Sequence, residues 1–257
     1  MHLSPITPFS AHEDISLKRD LAFAHRILAH LKLDDHTYTH LSARSKQQQD
    51  QGFWVSQFGY TFQEVTPERL TYVSLHHTVN HNDLKRTLAD ETHAPLLNTT
   101  GPMIHGAVYH ARPDIHVVFH LHTPAMVSIA SMKEGLLPLS QWALQFYDNV
   151  GYHDYSALAL EPACGDAIAQ DLGQKNILML RHHGVILCGK TVQEVLYYAY
   201  HLERACQTQC LIGTQGLPSI ALPDHSLCIK ARDQLLSFED TLGERDWHAW
   251  VRILGGH

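Results

Sequence analysis

Two histidines that close a short apolar run, His120-Leu121-His122, are the residues of this chain best spaced for chemistry. In an extended strand, side chains at i and i+2 share a face, so both rings can reach one point. A second histidine site follows in Leu180-Arg181-His182-His183-Gly184. Neutral imidazole is the commonest protein ligand for zinc and suits other late first-row metals. The spacing therefore raises a metal site built from the two places. Two rings on one strand face can equally hydrogen-bond to neighbours, and spacing alone does not separate the readings. Burial favours the metal. Val117, Val118, Phe119 and Leu121 set the rings at the rim of an apolar core, where an unpartnered imidazole loses its water hydrogen bonds.

Composition narrows the classes. At 257 residues the chain is long enough to bury a substantial core. A net charge of −7, with no Lys/Arg cluster, argues against a nucleic-acid partner and suits a cytoplasmic protein. The start, Met-His-Leu-Ser-Pro-Ile-Thr-Pro, lacks a signal peptide's basic and apolar regions, and no run is long enough to span a membrane. The five cysteines form no CxxC pair and read as thiols of a reducing compartment. Of the 22 histidines, His76, His77, His81, His225 and His257 sit in polar stretches and read as solvated.

The elements that must position the histidines follow from periodicity. Ser10-Ala-His-Glu13 fits a capping box and opens an amphipathic helix to about Leu31. Tyr38–Arg44 alternates like a strand, with Phe53–Ser56 as its hairpin partner, and Leu70–Leu75 reads as another strand. Thr66-Pro67-Glu68 is a helix-start signal. The helical pattern over 102–111 must stop at Arg112-Pro113, which gives Arg112 a structural role. Ile115–His122 is a strand of the kind buried on both faces, followed by a helix from Thr123 to about Met132. Trp142–Val150 fits either strand or helix. A helix over Glu161–Leu172 closes at Gly173, and Ile177–Leu180 and Val185–Cys188 pair as strands around Arg181-His-His-Gly184. Thr191-Val-Gln-Glu194 caps a long helix to about Leu211, and one or two exposed helices end the chain. Helices alternating with antiparallel strands predict an α/β fold in three layers.

Taken together, Ile104-His-Gly-Ala-Val-Tyr-His-Ala-Arg-Pro-Asp-Ile-His-Val-Val-Phe-His-Leu-His-Thr-Pro124, Arg181-His-His-Gly-Val185 and Thr39-His-Leu-Ser-Ala-Arg44 resemble the class II aldolase/adducin family. The resemblance implies a three-layer α/β/α domain with a central, mostly antiparallel sheet. It treats 1–257 as a single domain with a family core of about 15–212 and an extension of about 213–257. It also implies a divalent metal, zinc first and Mn2+, Fe2+ or Co2+ as substitutes, held by His120, His122 and His183. Such an ion acts as a Lewis acid in a lyase reaction through an enediolate. Tyr155, in Gly151-Tyr-His-Asp-Tyr155, stands where the family's aldolases carry a tyrosine acid supplied across a subunit interface. A homo-oligomer, a tetramer as in the aldolases, is expected on the same ground.

The departures matter equally. Where the aldolases carry Ser-Ser-Glu, with Glu as ligand and base, this chain has Thr99-Thr100-Gly101. The phosphate-binding Asn of the first segment is His40, and a Ser-Gly of the second is Phe58-Gly59. These changes resemble the adducin-like branch and point to a small hydroxy-carbonyl or hydroxy-acid substrate rather than a sugar phosphate. His105, one helical turn after Gly101, faces the same way and is a candidate fourth ligand or base; packing beside the site explains it equally well. His182 points away from His183 if the segment is extended, toward a neighbouring shell or subunit. Two readings stand: a metal-dependent aldolase-type lyase, or a non-catalytic adducin-like binding module that keeps the fold and metal.

Overall fold

The computed structural model describes residues 10–46, 51–75, 100–155, 162–213 and 220–255. The Ser10–Glu13 capping side chains and the His- and Asn-rich stretch after Leu75 lie outside what it describes. Among the described residues there are seven strands: β1 His40–Arg44, β2 Gly52–Ser56, β3 Leu70–Ser74, β4 Val117–Leu121, β5 Val150–His153, β6 Ile177–Leu180 and β7 Gly184–Gly189. They form one sheet in the order β3-β2-β1-β4-β7-β6-β5. Every neighbouring pair is antiparallel except β5 with β6. The described helices are α1 Ser10–His30, α2 Thr100–Ala111, α3 Pro124–Ser131, α4 Gln141–Leu144, α5 Pro162–Leu172, α6 Val192–Gly213, α7 His225–Leu236 and α8 Glu244–Leu254.

The helices divide between the two sheet faces, giving the expected three layers. On one face, α1, α3 and α6 bury Leu21, Ile27, Met126, Val195 and Leu202 against Leu41, Phe119, Leu121 and Leu187. On the other, α2 and α5 bury Ile104, Val108, Ile168 and Leu172 against Val118, Leu178, Ile186 and Cys188. The period of two along each strand sorts the residues. Leu41 and Ala43 of β1 join the first core, so His40 and Ser42 turn toward α2. In β4, Val117, Phe119 and Leu121 join the first core, which turns His120 the same way as His40. The register places His40 directly opposite His120.

Local chemistry explains where these elements begin and end. Thr123 caps α3 by accepting the Met126 N–H at 3.2 Å, with Pro124 in the first helical turn. Thr191 caps α6 by accepting the Glu194 N–H at 3.1 Å. The Glu194 carboxylate reaches back to the Lys190 N–H, at 2.6 Å, instead of to Thr191. Arg112 grips Asp114 through two hydrogen bonds of 2.8 and 2.7 Å and donates to the carbonyls of Gly173 and Lys175. That pins the end of α2 to the end of α5, the structural role its position before Pro113 predicts.

Three segments differ in detail from the periodicity. Thr66-Pro67-Glu68 opens only a three-residue turn of 3-10 helix, Pro67–Arg69, before β3 begins. The ambiguous 142–150 stretch divides, with the short α4 first and β5 starting at Val150. The C-terminal helices are largely exposed but anchored. Trp247 of α8 is buried and meets Phe23 of α1 edge-on at 5.3 Å.

Candidate metal centre

β4 delivers His120 from its last turn of pleat and His122 from one residue beyond its end. The β6–β7 hairpin delivers His183 from a three-residue loop in which His182 takes a left-handed conformation, φ 60°. His182 is exposed, and its N–H donates to Ser131 Oγ at 3.2 Å. The His183 N–H closes the loop on the Leu180 carbonyl at 3.1 Å. Gly184 is required by this approach: a Cβ there would fall 2.4 Å from the Leu121 carbonyl oxygen and 2.6 Å from the His122 ring. The His-Gly pair thus sets β7 close enough to β4 for the three rings to meet.

One ring nitrogen from each of His120, His122 and His183 lies within 4.8 Å of the others. The ring centroids are 4.5, 4.7 and 4.8 Å apart. Acceptor-only partners fix two of the tautomers. His120 Nδ1 faces the Val185 carbonyl at 3.0 Å, and His122 Nδ1 faces the Asp35 carboxylate at 3.2 Å. A carbonyl or carboxylate oxygen accepts but does not donate, so each Nδ1 carries the proton and each Nε2 is left with a bare lone pair. Those two lone pairs point at each other across 2.8 Å. A cation between them turns a repulsion into coordination, so the donor set fits a divalent metal.

Burial lowers the proton affinity of all three rings. It holds His120 well below the usual imidazole value, with His122, His40 and His183 adding repulsion. His122 is lowered by burial and partly restored by Asp35. His183 falls to about 4 through burial and the neighbouring His122 and His153. The rings are therefore neutral near pH 7, the form that binds metal.

Behind the trio lies a second polar cluster that the sequence signalled only in part. His40 Nδ1 is 2.8 Å from His105 Nε2, and His105 Nδ1 bonds the Ser42 hydroxyl. Ser42 Oγ is 2.8 Å from the Tyr109 hydroxyl. His105 is wholly buried with both ring nitrogens engaged, and burial lowers it to about 3. It stands behind His40, whose ring centroid is 5.0 Å from that of His120. Gly101 lies against the same ring, where a Cβ would sit 3.6 Å from it. Tyr155 lies outside both clusters, two residues past β5 and 54% exposed. Asp35, Ser42 and Tyr109 were not singled out by spacing. Ser42 and Tyr109 stand within the segments that carry the resemblance, while Asp35, in the loop before β1, has no signal in the sequence.

Comparisons with known proteins bear on the family and the fold. The family model for the Class II Aldolase and Adducin N-terminal domain matches residues 19–210. A provisionally named aldolase class 2 protein of Caulobacter vibrioides is 35% identical over 235 residues, covering 91% of this chain and 87% of that protein. Among solved structures, an aldolase II superfamily protein from Pseudomonas syringae superposes with a TM-score of 0.84 at 30% identity, over 98% of this chain and 96% of that one. An L-fuculose 1-phosphate aldolase from Glaciozyma antarctica superposes with a TM-score of 0.74 at 26% identity, over 91% and 86%.

Proposed function

The chain belongs to the class II aldolase/adducin family, and on that footing we propose that it is a divalent-metal-dependent lyase of the aldolase type. Its substrate is a small hydroxy-carbonyl or hydroxy-acid compound. The observation that carries this reading is the pair of bare Nε2 lone pairs of His120 and His122, 2.8 Å apart, with His183 alongside. His120, His122 and His183 would hold the ion, and three nitrogen donors leave a position open, as in catalytic zinc sites. Zinc suits this donor set, with Mn2+, Fe2+ or Co2+ as alternatives. When bound, the ion supplies Lewis acidity to a carbonyl or carboxylate oxygen of the substrate.

The chain's own residues do the rest. The Val185 carbonyl and Asp35 hold the ligand rings in the metal-ready tautomer. His105 acts through His40, since both its nitrogens are engaged away from the trio. Tyr155, exposed just beyond the end of β5, serves as an acid toward the site of a neighbouring copy in a homo-oligomer, a tetramer in our reading. Among the described residues no helix is long and apolar enough to cross a membrane, and all five cysteines are free, which suits a reducing cytoplasm.

A second reading has its own support. Gly101 offers no carboxylate at the start of α2, and among the described residues the metal-competent cluster contains only histidines. A binding module of the adducin kind would keep the ion and fold without turnover. Chelator-stripped protein reconstituted with Zn2+, Mn2+, Fe2+ or Co2+ and assayed for metal content tests the site first. One tightly held ion per chain is expected, and sub-stoichiometric uptake of every ion would refute the metal reading. His183→Ala should weaken uptake by more than the roughly 10–100-fold typical of an outer partner. A screen for aldol cleavage and dehydration then separates lyase from binding module, which would show no turnover.

A further inference from the structure

Between α4, α6 and the segment that joins α7 to α8 lies an open cavity of about 490 Å3, within the range of small-molecule sites. None of the three ligand histidines lines it. Its inner wall comes from Gln145, which caps the end of α4, and from Tyr197 and His201 of α6. Trp142, 41% exposed, stands at its mouth. The opposite wall is Phe238, Glu239 and Arg245, which follow the residues matched by the family model. The cavity is therefore not a feature of the family domain alone.

The polar groups of the lining are of one kind. Gln145 is 2% exposed, and its Oε1 has no hydrogen-bond partner. A buried carbonyl oxygen left bare in that way calls for a donor, and the cavity that Gln145 lines is where one can enter. His201 turns its Nδ1 to the Tyr197 carbonyl at 2.9 Å, an oxygen that can only accept. Its Nδ1 therefore carries the proton, and Nε2 is the ring's acceptor. Glu239 adds a carboxylate. Arg245, the cation of this lining, does not ask for an anion. Glu239 holds it at 2.7 Å, with Asp246 at 3.8 Å, so two carboxylates face one guanidinium. The guanidinium also rests over the Phe238 ring, 5.6 Å from its centre, which shows that this wall takes a cation on an aromatic face. We propose that the cavity is a second ligand site, separate from the metal centre, for a small primary amine on a flat apolar body, the class of arylalkylamines. The ammonium group donates to Gln145 and Glu239, and the apolar body lies among Trp142, Tyr197 and Phe238.

Phenethylamine and 3-phenylpropionate share a body and carry opposite charges, so calorimetric titration of the full chain with each tests the assignment. Phenethylamine should bind one per chain with a Kd of about 1 mM or tighter, and 3-phenylpropionate about tenfold more weakly. Gln145→Leu removes the acceptor with little change of volume and should weaken phenethylamine by about tenfold, the lower range for a hydrogen bond to a charged group. Without ligand, that variant should unfold at the wild-type urea concentration or above it, because it loses an unpaired oxygen; a purely structural role for Gln145 would lower the midpoint. Phe238→Ala changes a side chain that is 72% exposed and covers the case in which Gln145→Leu fails to fold. It should weaken the amine by about threefold. Both variants should take up metal as the wild type does, so amine binding and the metal reading can fail separately. No saturable binding of phenethylamine at millimolar concentration, equal binding of the two probes, or wild-type affinity in every folded variant overturns the proposal.

Discussion

Two groups of histidines, one wholly buried and one partly exposed, lie side by side and end in opposite ways. In the trio, His120 and His122 each give one nitrogen to an oxygen that can only accept, and their other nitrogens converge. In the second group, His40 and His105 bond to each other, and the chain passes on through Ser42 to Tyr109. Burial alone does not distinguish them, since His105 and His120 are both nearly inaccessible. The partner does. An imidazole tied to a terminal acceptor is left with a free lone pair, the form that can take a metal. One tied to another imidazole becomes part of a hydrogen-bonded relay.

Acid should produce the largest effect and act on both groups. His105 is lowered to about 3 and His25, buried beneath Phe62, to about 4, from an ordinary 6.5. Their folded values lie below the unfolded one, so between them the unfolded chain binds more protons than the native one. Stability therefore falls as pH drops through that window. Each such histidine contributes a slope of about 1.4 kcal/mol per pH unit. Urea midpoints should fall steadily from pH 7 toward 4, and His105→Leu should remove one histidine's share of the slope. A divalent ion should stabilise the fold at pH 7 and lose that effect on acidification, because protons compete for the trio. A flat profile from pH 7 to 4 would mean that these rings are not buried neutral.

A substitution at Gly184 should separate the two groups. The Cβ of Gly184→Ala would press on the Leu121 carbonyl and the His122 ring, and backbone yields little. Overpacking of this kind costs about 1–3 kcal/mol. Thermal unfolding should reveal that loss, and metal uptake should fall with it as β7 is pushed from β4. The His40 and His105 signals, carried by β1 and α2, should persist in spectra of the folded variant. Metal uptake at the wild-type level in a folded Gly184→Ala protein would detach the trio from the β4–β7 approach.

What could be read from the chain before its structure follows the range of the interactions involved. The i, i+2 spacing of His120 and His122 is local, and so is the amphipathic period of α1 and α6; both are visible in sequence. His183 was reachable through the family resemblance of Arg181-His-His-Gly184, since spacing alone offered that segment without linking it to the strand. Asp35 was not, because it meets His122 from a loop before β1, and no period links the two. His105 was noticed for its position one turn after Gly101, but its partners His40 and Ser42 come from a strand more than sixty residues earlier. Only the packing of α2 over the His40 and Ser42 face of β1 supplies them. The 142–150 stretch resisted reading because its pattern changes from helix to strand within a few residues.

The smallest effects give the sharpest division between the groups. Asp35 is about half exposed, so its bond to His122 is partly screened by solvent. Asp35→Asn keeps a carbonyl acceptor but loses the charge, and should weaken metal affinity by about tenfold, the low end for an outer partner of a ligand histidine. Tyr109→Phe removes a buried hydroxyl from the other group, and should cost about 1 kcal/mol of stability. It should leave metal affinity unchanged, because none of the three ligand rings bonds to it. Metal competition and urea unfolding on both variants yield four numbers, and the expected pattern is crossed: affinity falls in one, stability in the other. If Tyr109→Phe lowered metal affinity as much as Asp35→Asn, the relay would be holding the ligand rings themselves, and the two groups would be one unit.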